Sequence, residues 1–294
     1  MNAEQVKELL ESLETAGTLF LILTGGEPLL RSDLWEILEE AKLRGFAVML
    51  FTSGTGINRE KGARLAEFSL FSVHISVYSS DPERHDLITG VPGSFEKTSL
   101  GIDNLLLNGI SPVIKTPLMD ENYNDLDKLR RWARKRNLTH KIDPVISPCY
   151  RKNKDRIISR RISREKVCET VFESGIFDTG DFRPREKLEC GAGVNMAAVD
   201  SCGNVFPCLS WRVPCGRAAE EGFERIWEVM KPDYSHLENC FSCGVLSYCG
   251  ICPGIASAEG PDFFCGAASD TADRLRVPVN TVSSQGIEIK EDLG

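Results

Sequence analysis

From residue 1 to about 143, apolar positions fall into two alternating rhythms. Stretches with apolar residues three or four apart predict helices with one buried face, and short apolar runs between them predict strands. The spacing predicts helices over 3–16, 32–44, 59–67, 94–109 and 124–136, and strands over 19–24, 46–51, 71–77, 112–116 and 139–143. Ser32, Asn58 and Ser94 stand where helices begin and read as caps, while Gly45 and Gly109 stand where helices stop. Strand regularly alternating with helix is the pattern of an α/β fold with a parallel sheet.

In such folds ligands bind at the carboxyl ends of the strands, so the residues just after each apolar run come first. Three of these loops are unusual: Gly25-Gly26-Glu27-Pro28, Thr52-Ser53-Gly54-Thr55, and the segment around Ser76, Tyr78 and Ser79. Two glycines let backbone groups approach a ligand closely, and Glu27 offers an acceptor suited to an amino-acid ammonium. A tight strand-to-helix turn with Pro28 near the helix start is the plainer reading of the same four residues. His74 alternates with the core-facing positions of its strand and reads as structural; His85 reads as organising the loop that leads to Gly90.

Charge narrows the partners. The 294 residues carry a formal net charge of -8, which argues against a mainly electrostatic grip on nucleic acid or an anionic membrane and leaves a basic peptide open. No run approaches the roughly 18 apolar residues of a membrane span, and the N-terminus reads as an acidic amphipathic helix rather than a signal peptide. The expected location is the cytoplasm. There, eleven cysteines point to metal or cluster ligation rather than disulfides. None precedes Cys149 and nine of the eleven fall from Cys190 to Cys265, so the expected organisation is an α/β domain over 1–145, a connector over 146–187, a cysteine-rich domain over 188–267 and a tail over 268–294. Cys149 and Cys168 read as ordinary buried thiols.

The segments LILTGGEPLLRSDLWEIL, FTSGT and HISVYSSDPERHDLITGVPGSFEKT closely resemble radical S-adenosylmethionine enzymes. The resemblance implies a partial (β/α)6 TIM-like barrel and an S-adenosylmethionine site at Gly25, Gly26, Glu27 and Pro28, with Ser53 and Ser76 as further contacts. Serines at strand ends are also common caps and turn residues. Downstream, Cys190, twelve residues, Gly203, four residues and Cys208, then Cys240, Cys243, Cys249, Cys252 and Cys265, resemble the SPASM pattern of auxiliary iron-sulfur domains. By that resemblance Cys240, Cys243, Cys249 and Cys265 hold one [4Fe-4S] cluster and Cys190, Cys208 and Cys252 another. The second set is one ligand short; an open site is favoured over Cys202 or Cys215 as the fourth ligand. A four-thiolate zinc module of Cys240, Cys243, Cys249 and Cys252 is the alternative for part of this segment.

Two features depart from the family. Only Gly250 and Ile251 separate Cys249 from Cys252, where the family has three residues, and no Cys-x3-Cys-x2-Cys occurs in this sequence. That loop follows the first strand in the family and carries the catalytic cluster, so the first strand and loop are expected to be missing through a start placed too far downstream or a truncated chain, with a true non-catalytic relative as the other case. The resemblance implies that the full-length form is an oxidoreductase that modifies a peptide or protein by 5′-deoxyadenosyl-radical hydrogen abstraction, with a flavodoxin or ferredoxin as electron donor, while this chain is expected to be inactive. Leu209 stands where sulfatase-maturing members have an aspartate base, which counts against that reaction. The alternative function is a non-catalytic iron-sulfur or zinc protein that binds a peptide or an electron-transfer partner.

Overall fold

A computed structural model describes residues 1–147, 158–173, 190–241 and 251–260. They divide into two compact units. The first takes in 1–146, 199–205 and 215–229; the second takes in the described parts of 147–198, 206–214 and 230–294.

The first unit is built on helix α1 (Ala3–Thr15), β1 (Phe20–Leu23), α2 (Leu34–Leu43), β2 (Ala47–Thr52), α3 (Arg59–Glu67), β3 (Ser72–Ser76), α4 (Pro82–Thr89), α5 (Ser94–Leu107), β4 (Val113–Pro117), α6 (Leu126–Lys135) and β5 (His140–Asp143). The strands form one sheet in the order β1-β2-β3-β4-β5, and every pairing is parallel. This is the α/β fold that the spacing predicts. Because the order follows the chain without reversing, the sheet is an arc of a barrel rather than a doubly wound sheet, which would have a switch point.

Alternation along the strands decides which face does what. Val48, Leu50, Val73, Ile75, Val77 and Ile114 are buried on one face. The other face carries the half-buried Met49, Phe51, Ser72, His74, Ser76 and Lys115, and on β1 the exposed Phe20 and Ile22. A parallel sheet covered on both faces has near-continuous apolar strands. Here the second face is polar enough to be a working surface.

The caps differ in part from the sequence reading. Asn58 does cap α3, accepting from Lys61 N at 2.8 Å. Ser32 does not cap α2: Asp33 takes that position without a side-chain cap bond, because Arg31 engages its carboxylate at 2.6 Å. Ser94 is the first residue of α5, whose N-terminus is capped from outside by Asp86, an acceptor for Gly93 N, Phe95 N and Ser94 Oγ. Helix α4 was not foreseen, although Asp81 caps it and Pro82 opens it, which is a legible start signal.

Helix α5 braces the loop after β2. Thr98 Oγ1 donates to Ser53 O at 3.0 Å and Asn104 Nδ2 to Ile57 O at 2.9 Å. A Cβ on Gly101 would lie 2.2 Å from Gly54 O, so only glycine lets the helix approach this closely. Gly101→Ala is expected to cost about 1–3 kcal/mol by overpacking, read as a lower denaturation midpoint with an unchanged m-value. Full stability in this variant would show that the loop does not rest on α5.

Thr116 Oγ1 donates to Val77 O at 2.7 Å, so it accepts from His140 Nε2 at 2.9 Å. Burial, then the charge of Arg130, lowers the His140 pKa to about 4. Between that value and the unfolded value near 6.5 the unfolded chain binds a proton that the fold refuses. Stability is therefore full above pH 6.5 and falls as pH drops toward 4, by about 3 kcal/mol for this group. Burial shifts His74 and His85 in the same direction. His140→Gln is expected to flatten the slope of unfolding free energy between pH 6.5 and 4; an unchanged slope would place the effect elsewhere.

Candidate functional site

The register places the carboxyl ends of the strands in a row. Ser76 pairs with Lys115 and Lys115 with Lys141. One residue beyond the pair Thr52–Ile75 stands Ser53 opposite Ser76, and continuing β1 past its pair Leu23–Leu50 brings Gly26 to the same level. The residues singled out by sequence thus share one edge of the sheet, as a ligand site at strand ends requires.

Glu27 is held there by four hydrogen bonds. Its Oε1 accepts from Leu29 N at 3.2 Å and Thr52 Oγ1 at 2.6 Å, and its Oε2 from Ser53 N at 2.8 Å and Ser53 Oγ at 2.6 Å. A carboxylate has about four acceptor positions, and all are used. Sequence reasoning offered Glu27 as an acceptor for an ammonium and named Thr52 in the loop after β2, but gave Thr52 no contact with Glu27. An incoming ammonium meets a full negative charge but needs a vacated lone pair. Ser53 Oγ can yield one, since Thr55 Oγ1 stands 3.0 Å away as an alternative partner. Gly25 and Gly26 are exposed, with open space where a Cβ would be, and Gly25 has φ 132°. Pro28 and Leu29 are buried and open a short 3-10 helix.

Ser76 ends β3 on the same face as Ser53. Two residues on, Tyr78 N donates to His85 Nδ1 at 3.3 Å, and the buried His85 ring packs against Tyr78 and Phe95. His85 therefore organises the end of β3 from within α4. His74 stacks on Phe51 with ring centroids 4.5 Å apart, and its Nε2 stands 3.0 Å from Ser72 Oγ. It faces away from the Val73 and Ile75 core, on the alternate face of its strand.

The second unit gathers thiols. After Cys190 a tight loop closes on Gly191 O, and Gly193 N donates to both Met196 O and Pro207 O, which ties this loop to the residue before Cys208. Cys208 accepts from the N–H groups of Ser210 and Trp211, and Cys252 and Cys190 lie within electrostatic reach of it. Burial, opposed by those two N–H bonds, raises the Cys208 thiol above its ordinary value. Gly254 lies flush on the Ser210–Trp211 backbone, where a Cβ would meet Trp211 N at 2.7 Å. Trp211 is buried, with Tyr234 at 5.2 Å and His236 at 5.5 Å between ring centroids. Tyr234 stands within hydrogen-bonding reach of Cys190, and its phenol is raised by burial first and then by Cys190. Sequence reasoning missed Trp211 and Tyr234, whose only signal was nearness to cysteines in the chain.

Cys202 is exposed and Cys215 half-buried. Cys240 is buried, while its expected co-ligands Cys243, Cys249 and Cys265 lie outside the described residues, as do Cys149, the tail over 268–294 and much of the 146–187 connector. Among the described residues no three His, Cys, Asp or Glu side chains stand close enough together to hold a single metal ion. No described helix is long and apolar enough to cross a membrane.

Residues 1–133 match the radical SAM superfamily. The match covers the stretch that holds the parallel sheet up to α6, and there the chain is similar to this superfamily. Its relatives include an AdoMet-dependent heme synthase of Methanosarcina barkeri, 25% identical over 86% of this chain and 82% of the relative. A mycofactocin maturase of Mycolicibacterium smegmatis is also 25% identical, over 93% of this chain and 74% of its own. Among solved structures, anSMEcpe with bound AdoMet and a Cp18Cys peptide superposes with TM-score 0.68 at 15% identity, over 93% of this chain and 89% of that one. SuiB of Streptococcus suis bound to the precursor peptide SuiA superposes with TM-score 0.65 at 15% identity, over 90% of this chain and 68% of that one. At these identities the two structures speak for the radical SAM fold alone.

Removing the Glu27 carboxylate strands Thr52 Oγ1, Ser53 N and Leu29 N. Glu27→Ala is expected to speed amide hydrogen exchange at Ser53 and Leu29 about tenfold or more, with α6 unaffected. Unchanged exchange at both amides would remove the carboxylate from its organising role.

Proposed function

We propose that this chain is a radical SAM iron-sulfur protein of the peptide-modifying kind, with S-adenosylmethionine held at Gly25, Gly26, Glu27, Pro28, Ser53 and Ser76. Auxiliary [4Fe-4S] clusters are held in a SPASM domain over 188–267, Cys190, Cys208 and Cys252 on one and Cys240, Cys243, Cys249 and Cys265 on the other. Residues 1–145 form the partial barrel, 146–187 the connector and 268–294 the tail. The observation that carries the reading is the pair of backbone contacts, Gly193 N to Pro207 O and Gly254 on Ser210–Trp211, that bring the stretches bearing Cys190, Cys208 and Cys252 together in the second unit. A peptide or protein substrate is supported by solved neighbours that hold peptides.

When bound, a low-potential cluster and S-adenosylmethionine supply a one-electron cleavage of the sulfonium bond that yields methionine and a hydrogen-abstracting 5′-deoxyadenosyl group. The chain's own part is positional. Glu27 sets a fixed negative charge at the end of β1, Ser53 releases an acceptor for the ammonium, and the glycines leave the approach clear. The 294 residues as written hold no Cys-x3-Cys-x2-Cys, so by themselves they bind the cofactor weakly and do not cleave it. A flavodoxin- or ferredoxin-class donor would serve an active form that also carries the three-cysteine loop.

Anaerobic reconstitution is expected to give a brown protein with close to two [4Fe-4S] clusters per chain, about eight irons with matching sulfide. Zinc without iron would overturn the reading. Gly254→Ala, which drives the Cys252 segment off the Ser210–Trp211 backbone, is expected to lose about half of that iron; full iron content would detach Cys252 from the set. The reconstituted chain alone is expected to form no 5′-deoxyadenosine under dithionite, and its formation would show that the chemistry needs no further cysteines.

A further inference from the structure

The row of strand ends does not stop at Ser76. Its next two members are Lys115 and Lys141, directly opposite each other on β4 and β5 and on the same face as Ser76 and His74. Like charges directly opposite across a strand pair are destabilising, so two lysines there require an explanation. Asp143 answers one of them, at 2.9 Å from Lys115 Nζ. Lys141 is exposed, with no ion-pair partner among the described residues.

A third group faces the same space. His74 Nδ1 is buried without a hydrogen-bond partner. Nε2 and Ser72 Oγ share a hydrogen bond at 3.0 Å; in the tautomer in which Nε2 accepts, Nδ1 carries the N–H. The charges of Lys115, Lys141 and Asp143 all reach the His74 ring, and burial, followed by the two lysines, keeps it neutral by lowering its pKa. In that tautomer it is an uncharged donor beside two cations and one carboxylate.

We propose that Lys115, Lys141 and His74 Nδ1 form a subsite that binds a carboxylate of the substrate. The local charge of two lysines less Asp143 matches one negative charge rather than a phosphate dianion, and the Phe51 ring stacked on His74 provides an apolar wall for an organic group. The carboxylate is not that of the methionine moiety. An amino acid carries its ammonium and carboxylate on one carbon, whereas three strand spacings, about 14 Å along the sheet, separate Lys115 from the level of Gly26. The subsite rests on the peptide-substrate reading: it takes a peptide's terminal carboxylate or an acidic side chain.

The test titrates the 294-residue chain by NMR with three acetylated dipeptides: one with a free terminal carboxylate, the same dipeptide amidated, and an amidated one with a glutamyl side chain. At least one carboxylate probe is expected to shift the His74 ring signals saturably and to bind about ten- to hundredfold more tightly than the neutral amide; which one does so identifies the source. Lys141→Met, which breaks no ion pair, is expected to abolish that preference, and Lys115→Met to do the same where it folds. S-adenosylmethionine affinity is expected to stay unchanged in Lys141→Met. Equal binding of the amide, an unaltered preference in Lys141→Met, or an equal loss of S-adenosylmethionine affinity would each overturn the subsite. Failure of the unsubstituted chain to bind S-adenosylmethionine at all would count against the radical SAM reading and leave the lysine result standing.

Discussion

The Glu27 carboxylate joins the end of β1 to the end of β2, and the candidate site in the first unit depends on that junction. Four donors on one carboxylate fix the Gly-Gly turn, the start of the short 3-10 helix and the Ser53 loop in a single arrangement. Charge-assisted bonds of this kind are about twice as strong as neutral ones, and each stranded donor would cost about 1–3 kcal/mol. Helix α5 supports the same loop from the other side through Thr98 and the Gly101 contact. The loop is thus held from two directions before any ligand arrives.

Register extends this local order across the sheet. Because every strand pair is parallel and in sequence order, one level of the sheet carries Ser53, Ser76, Lys115 and Lys141 on a single face. Its character changes along the way, from a carboxylate and hydroxyls at β1 to β3 to two ammonium groups at β4 and β5. A ligand with a positive end and a second with a negative end would each find a matching region. In the second unit a comparable economy places Cys190, Cys208 and Cys252 through backbone contacts at Gly193 and Gly254 rather than through bulky packing.

Periodicity made most of the first unit legible, since α3 spans the residues that its pattern marks and the strands differ by only a residue or two at their ends. Helix α4 escaped because its eight residues carry almost no apolar stripe, and only its Asp81 and Pro82 start marked it. Caps misled where a side chain elsewhere in the chain took the role, as Asp86 does for α5. The site's residue types were visible, but the saturation of Glu27 was not, because it depends on Thr52 and Ser53 meeting Glu27 across 25 residues of chain. Lys115 and Lys141 gave no signal, as a lysine in a short strand reads as solvent-facing until register sets it opposite another.

The candidate site turns on Glu27 and Ser53 sharing a bond that an amino-acid ammonium can enter. The most direct measurement is the amide shift of Ser53 and Leu29 in the 294-residue chain during titration with S-adenosylmethionine at millimolar concentration. Both amides are predicted to move saturably along one binding curve as Ser53 Oγ leaves Glu27. Saturable binding seen elsewhere in the protein while both amides stay fixed would contradict the account.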